Sequence, residues 1–237
     1  MRTVAVVLAA GSGTRFGSAD LKQLRVLAGR NLIEHCVRAF DQAPAIDDVL
    51  VVATADISEQ VRRDLAGYGK VTDVIHGGAT RTDSTRQALG WLVARLPGDT
   101  KVLFHDAARP LVDQRTIADC AAALDRFDAA GVVVPSLDTI VEVAHGALKR
   151  VLPREMLARC QTPQGFRLSV IDTAYRLADA DTAFAAIPAT DDCGVVLRYL
   201  PDVPIAAVAG SERNLKVTYA ADLMVAAALL DASDPQV

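Results

Sequence analysis

"VAVVLAAGSGTRFGSADLKQ", residues 4–23, decides how this chain is read. It opens with a short valine-rich apolar run, the pattern of a strand buried on both faces. A turn containing Gly11, Gly13 and Gly17 follows, and Arg15 and Lys22 sit within and after it. Glycines there let backbone N–H groups face an anion and let a phosphate chain approach without Cβ interference. The spacing is G-x-G-x-x-x-G, one residue off the dinucleotide fingerprint. Gly17 is not followed by Lys-Ser or Lys-Thr, which excludes a Walker A loop. Two cations converging on a nest of amides suit a triphosphate.

Working outward, "DVLVVAT" (48–54), "VTDVIHGG" (71–78), "KVLFHDA" (101–107), "AGVVVP" (130–135) and "PIAAVAG" (204–210) read as further strands buried on both faces. Between them "NLIEHCVRAFDQA", "DISEQVRRDLAGYG", "RTDSTRQALGWLVARL" and "TIADCAAALDRF" carry helical spacing, with Asp56 or Ser58 and Asp83 as expected N-caps. Strand–helix alternation predicts an α/β fold, Rossmann-like, with a mostly parallel sheet flanked by helices. Ligands of such sheets sit beyond the carboxyl ends of the strands. "DTIVEVAHGALKRV" (138–151) breaks the rhythm: two β-rich halves flank His145-Gly146 and predict a hairpin. It is either an edge hairpin of the same domain or an arm reaching a second subunit, because a lone two-stranded ribbon is marginal without a packing partner. "YAADLMVAAALL" (219–230) reads as a closing helix.

The 237 residues fit one domain, 1–237, and 51% of them are apolar. A net charge of −4 argues against a dedicated nucleic-acid or anionic-membrane binder. No apolar stretch is long enough to span a bilayer, and the apolar start runs straight into glycine and arginine, unlike a signal peptide. Cys36, Cys120, Cys160 and Cys193 are scattered without a C-x-x-C pair, which predicts structural thiols in a reducing cytoplasm.

The first loop resembles the signature of sugar-nucleotide pyrophosphorylases and related nucleotidyltransferases. Five later motifs occur in order: "HGGATRTDS" (76–84), "HDAARP" (105–110), "TPQGF" (162–166), "TDD" (190–192) and "NLKVT" (214–218). Together they resemble the 2-C-methyl-D-erythritol 4-phosphate cytidylyltransferases nearly end to end. That resemblance implies a fold of the nucleotide-diphospho-sugar transferase type. It also implies attack by the acceptor's phosphate on the α-phosphorus of CTP, expelling pyrophosphate. A phosphate monoester has a second pKa of about 6, so no general base is needed. The difficulty is electrostatic, and fixed cations, amides and Mg²⁺ answer it.

By the same resemblance, Arg15 and Lys22 stabilise the transition state. Ala9, Ala10, Gly11 and Gly13 supply backbone along the nucleotide, while Gly77, Gly78, Arg81 and Ser84 match the base-reading segment. Asp106 and Ala107 lie near ribose, with Asp106 also near the metal and the acceptor; Mg²⁺ is otherwise held by the CTP phosphates. Arg109 is expected to help hold the acceptor phosphate. Thr139, Arg154, Thr162, Thr190 and Lys216 match acceptor-orienting positions, with Arg154 and Lys216 steering the attacking phosphate. In this family the arm forms a homodimer and brings the Thr139 and Arg154 positions to the neighbouring site.

The match is imperfect in two places. Leu21 stands where proline usually precedes the lysine, and "TDDCGVV" replaces the usual Thr-Asp-Asp/Glu-Ala-Ser. A cytidylyltransferase for ribitol 5-phosphate shares the fold and most motifs, although "HDAARP" and "TPQGF" fit the methylerythritol enzymes better. A uridylyltransferase would share only the first loop, and a nicotinamide dehydrogenase is poorly served by the glycine spacing. A non-catalytic nucleotide sensor has no need of both Arg15 and Lys22. His105 beside Asp106 lacks the ligand spacing of a metal pair.

Overall fold

The computed structural model describes residues 1–11, 24–184 and 186–232. Thr3–Leu8 forms β1, with all six residues buried. It lies parallel between Asp48–Ala53 (β4) and Lys101–Asp106 (β6), with Val6 facing Leu50 on one side and Phe104 on the other. Period-two alternation divides these side chains between two cores. Ala5, Val7, Val49, Val51 and Leu103 point one way, toward Leu32–Asp41 (α1) and Gln114–Ala123 (α4), where Val37, Phe40 and Ile117 wait. Val4, Val6, Leu50, Val52 and Phe104 point the other way. Their partners include Leu89 and Leu92 of Arg81–Val93 (α3) and Ile171 of Leu168–Ala180 (α5). Apolar runs without polar alternation therefore produce three layers, helix–sheet–helix.

The remaining strands are Val26–Leu27 (β2), Arg30–Asn31 (β3), Val71–His76 (β5), Ala129–Pro135 (β7), Val141–Ala144 (β8), Ala147–Val151 (β9), Ala158–Arg167 (β10) and Ile205–Ala209 (β11). The seven-stranded sheet runs β11-β7-β10-β6-β1-β4-β5. All of its strands are parallel except β10, which is antiparallel to both neighbours. "TPQGF", a motif not among the expected strands, lies within β10. A register shift between Cys160 and Gln164 accommodates that stretch inside β10.

Two expectations are corrected. β5 and β11 are the edges of the sheet and are only partly buried, since each has one paired neighbour. The expected N-caps also differ. Ser58–Asp64 (α2) follows Ile57 with no side-chain cap, and the Ser58 hydroxyl donates to the Ala55 carbonyl. Asp83 is the third residue of α3, in a capping box with Thr80 as N-cap. Asp192–Tyr199 (α6) and Ala220–Asp231 (α7) complete the helices, the latter where the closing helix was expected.

β8 and β9 form a separate two-stranded sheet. His145 and Gly146 both have positive φ, 51° and 77°, the geometry that a two-residue hairpin turn requires. Val143, Leu148 and Val151 on this ribbon are exposed.

Candidate active site

The carboxyl ends of β1, β4, β5 and β6 meet at one rim, and β10, running the other way, brings its first half to the same place. Ala9 N–H donates to the Val52 carbonyl and Ala107 N–H to that of Leu8, so the chain leaving β1 lies between two neighbours. After β5 the backbone passes too close for side chains. A Cβ on Gly77 would lie 2.3 Å from the Ala10 Cβ, and one on Gly78 would lie 2.2 Å from the Asp83 Cβ. The Ser84 hydroxyl accepts from Gly78 N–H (3.2 Å) and donates to the Thr80 carbonyl (2.9 Å). Ser84 thus shapes the turn that the sequence assigned to base reading.

At the end of β6 the Asp106 carboxylate is buried between two cations. Arg81 Nε donates to Oδ1 (3.0 Å) and Lys216 Nζ to Oδ2 (2.7 Å). Burial pushes this carboxyl up, but Arg81 and Lys216 outweigh it and hold it well below the usual carboxylate range. Lys216 reaches it because Val217 N–H bonds the Ala108 carbonyl (2.7 Å) and pins the segment after β11 against the segment after β6. Residues 81, 106 and 216 are far apart in sequence and meet only here.

His105 is fully buried and structural. Its Nε2 lies 3.0 Å from the Arg109 carbonyl, which only accepts, so Nε2 carries the proton. Nδ1 therefore accepts from the Thr162 hydroxyl (3.0 Å), whose oxygen accepts from Asp106 N–H (3.1 Å). Burial lowers the imidazole pKa to about 4, so the ring is neutral at physiological pH. Thr162, expected to orient the acceptor, is committed on this side to fixing the backbone of Asp106.

Arg109 donates to the carbonyls of Asn214 (2.7 Å) and Cys160 (3.3 Å). Among the described residues it has no carboxylate partner, and burial lowers its pKa. A desolvated cation held only by neutral acceptors suits an incoming phosphate. Asn214, which sequence reasoning passed over, is fully buried and donates to the Thr162 carbonyl (2.8 Å).

The remaining site residues are not gathered at Asp106. Thr139 and Arg154 stand exposed at the two feet of the arm, which are joined by the Leu152 N–H to Ile140 carbonyl bond. Thr190 is exposed just before α6. Gly13, Arg15 and Lys22 lie outside the described residues, and Gly11 lies at their edge. No three His, Cys, Asp or Glu side chains converge as a metal cage among the described residues. Of the four free cysteines, only Cys160 is exposed.

Cations gathered around a buried aspartate at the carboxyl ends of a Rossmann-like sheet are an arrangement suited to a nucleotidyltransferase, the class to which the chain's similarities assign it. Residues 3–232 match the family model for 2-C-methyl-D-erythritol 4-phosphate cytidylyltransferase. The chain belongs to that family. It is 48% identical over 236 residues to the enzyme of that name from Thermobifida fusca (strain YX), covering 97% of this chain and 93% of the relative. It is 34% identical to a bifunctional ribulose 5-phosphate reductase/CDP-ribitol pyrophosphorylase from Haemophilus influenzae, covering 95% of this chain and 47% of that protein. Among solved structures, 4-diphosphocytidyl-2C-methyl-D-erythritol synthase from Anaerococcus prevotii DSM 20548 superposes with a TM-score of 0.84 at 25% identity, covering 97% and 98% of the two chains. The chain is thus a cytidylyltransferase of isoprenoid precursor biosynthesis, making CMP–acceptor from CTP and methylerythritol phosphate.

Proposed function

We propose that the rim around Asp106 is where the acceptor phosphate attacks the α-phosphorus of CTP. A bond forms between an acceptor phosphate oxygen and that phosphorus, the bond to the bridging oxygen breaks, and pyrophosphate leaves. The observation that carries this reading is the convergence of Arg81 and Lys216 on one buried carboxylate, with Arg109 alongside. Gly77 and Gly78 let the chain after β5 pack against Ala10 and Asp83, where a side chain would clash, and with Ala9 and Ala10 this segment forms the wall assigned to the nucleotide. Lys216 is bound to Asp106 through a single oxygen and is partly exposed, so it can turn to the acceptor phosphate. Holding both reactants on fixed cations makes the attack effectively intramolecular. Arg15 and Lys22 neutralise the charge that develops on the α-phosphate.

Magnesium would be held mainly by the CTP phosphates, and Asp106 can join it once Lys216 turns to the acceptor and frees Oδ2, both carboxylate oxygens otherwise being taken by cations. One carboxylate together with substrate phosphates is a usual magnesium environment. Asp106 stays ionised throughout the physiological range. When bound, the metal supplies positive charge to the triphosphate.

The exposed apolar residues of the arm, Val143, Leu148 and Val151, with Thr139 and Arg154 at its feet, support a homodimer in which the arm completes the neighbouring site. Residues 1–237 then act as one domain with 138–151 as its dimerisation arm. No helix among the described residues is long and apolar enough to cross a membrane. The four unpaired cysteines suit the cytoplasm.

The test is pyrophosphate release from CTP and Mg²⁺ with purified protein. Methylerythritol 4-phosphate should support it and ribitol 5-phosphate should not. Release with ribitol 5-phosphate alone would keep the chemistry and overturn the acceptor. CTP binding without release in either case would mark a sensor.

A further inference from the structure

Behind the carboxylate of Asp106 lies a second one to which neither the motif reading nor the reaction gives a task. Asp192, the first residue of α6, is fully buried. Its backbone N–H donates to Gln164 Oε1 (3.1 Å), which ties it to β10. The two carboxylate oxygens are divided between different kinds of partner. Oδ1 accepts from the Tyr175 hydroxyl of α5 (2.6 Å) and the Thr85 hydroxyl of α3 (3.1 Å). Oδ2 accepts from Arg81 Nη2 (2.8 Å).

Arg81 is therefore shared. Its Nη2 is anchored on the buried Asp192, and its Nε on Asp106 at the rim. A guanidinium is planar, and bonds at two of its nitrogens to two separately fixed carboxylates set the orientation of the plane. With Asp106 alone, this long side chain would follow its one partner and keep most of its rotamer freedom. Burying a carboxylate is costly unless it is paired and hydrogen-bonded. Here α3, through Arg81 and Thr85, and α5, through Tyr175, meet that cost at one group. A carboxylate that merely stapled the core would find its cation inside; this one sends its free oxygen outward to a residue of the cleft.

We propose that Asp192, held by Tyr175 and Thr85, is a positioning residue for nucleotidyl transfer, fixing the Arg81 guanidinium beside Asp106 for the incoming nucleotide. This rests on the reading of Arg81 as part of the CTP site. Tyr175 remains a donor across the working range, since burial and the neighbouring Asp192 charge both raise its pKa.

A double-mutant cycle tests it, using Tyr175→Phe, Arg81→Met and both together, with kcat and both KM values from pyrophosphate release and melting curves alongside. Tyr175→Phe should raise the CTP KM about threefold to tenfold, the scale expected of residues coupled in one network. The acceptor KM should stay unchanged. In the Arg81→Met background Tyr175→Phe should add nothing further. An equal effect of Tyr175→Phe in both backgrounds would show that it acts through the fold and would overturn the positioning role alone. A normal CTP KM in Arg81→Met would overturn the reading of Arg81 itself, and the proposal with it. Thr85→Val and Thr85→Ser give a second measurement if Tyr175→Phe folds poorly. The valine should weaken CTP binding and the serine, which keeps the hydroxyl, should restore it; equal loss in both refutes the proposal.

Discussion

His105 should make this protein sensitive to mild acid, by an amount the structure allows one to work out. The imidazole is buried, stacked edge-to-face on Phe40 with ring centroids 5.0 Å apart, and its pKa falls from 6.5 to about 4. Between those values the unfolded chain binds a proton that the folded chain refuses, so stability falls as pH drops from about 7 toward 4 and the loss levels off below that. Evaluating the two binding curves, His105 removes about 2 kcal/mol between pH 7.5 and pH 5. His105→Gln removes the titration while its amide N–H can still reach the Arg109 carbonyl. The variant will be less stable at every pH, because it loses the packing on Phe40. The informative quantity is the slope. Urea unfolding at pH 7.5 and pH 5 should show the variant losing about 2 kcal/mol less than the parent over that interval. The half-buried His35, whose pKa burial also lowers, is present in both proteins and cancels. Equal losses would refute the neutral tautomer, and with it the hydrogen-bond chain from the Arg109 carbonyl through His105 and Thr162 to Asp106.

Three other outcomes are expected. Arg15→Ala, Lys22→Ala and Lys216→Met should each lower kcat/KM about 10²-fold, the scale of one lost preorganised donor, and near-normal turnover in any of them removes that residue from the chemistry. Gly77→Ala would place a Cβ 2.3 Å from that of Ala10. Thermal and urea unfolding should show a loss of about 1–3 kcal/mol, together with weaker CTP binding. Val143→Asp with Leu148→Asp puts charge on the exposed apolar arm; if the arm carries the proposed homodimer, sedimentation should show a dimeric parent and a monomeric variant, and an unchanged oligomer would detach the arm from dimerisation.

Much of the architecture is legible locally. β1, β4 and β6 announce themselves because a strand covered on both faces must be apolar throughout, and Thr3–Leu8 is. The arm is legible because His145-Gly146 supplies the positive φ that a tight hairpin needs. β10 is not, because Pro163 is accommodated through a register shift between Cys160 and Gln164 against β7, a partner distant in sequence. The edge status of β5 is equally hidden, since it depends on which strand is absent beside it.

The site divides along the same line. The chain's order of motifs determines by itself which residue types are available: glycines where backbone must approach a nucleotide, cations where phosphate must be met, and the family to which they belong. Tertiary structure alone decides that Arg81 and Lys216 close on Asp106, that Thr162 serves His105 and Asp106, and that Asp192 rather than Thr190 is the buried member of "TDD". The reason is physical. A motif fixes chemistry and local backbone within a few residues, whereas a charge pair is chosen by burial, and burial is a property of the whole packed sheet.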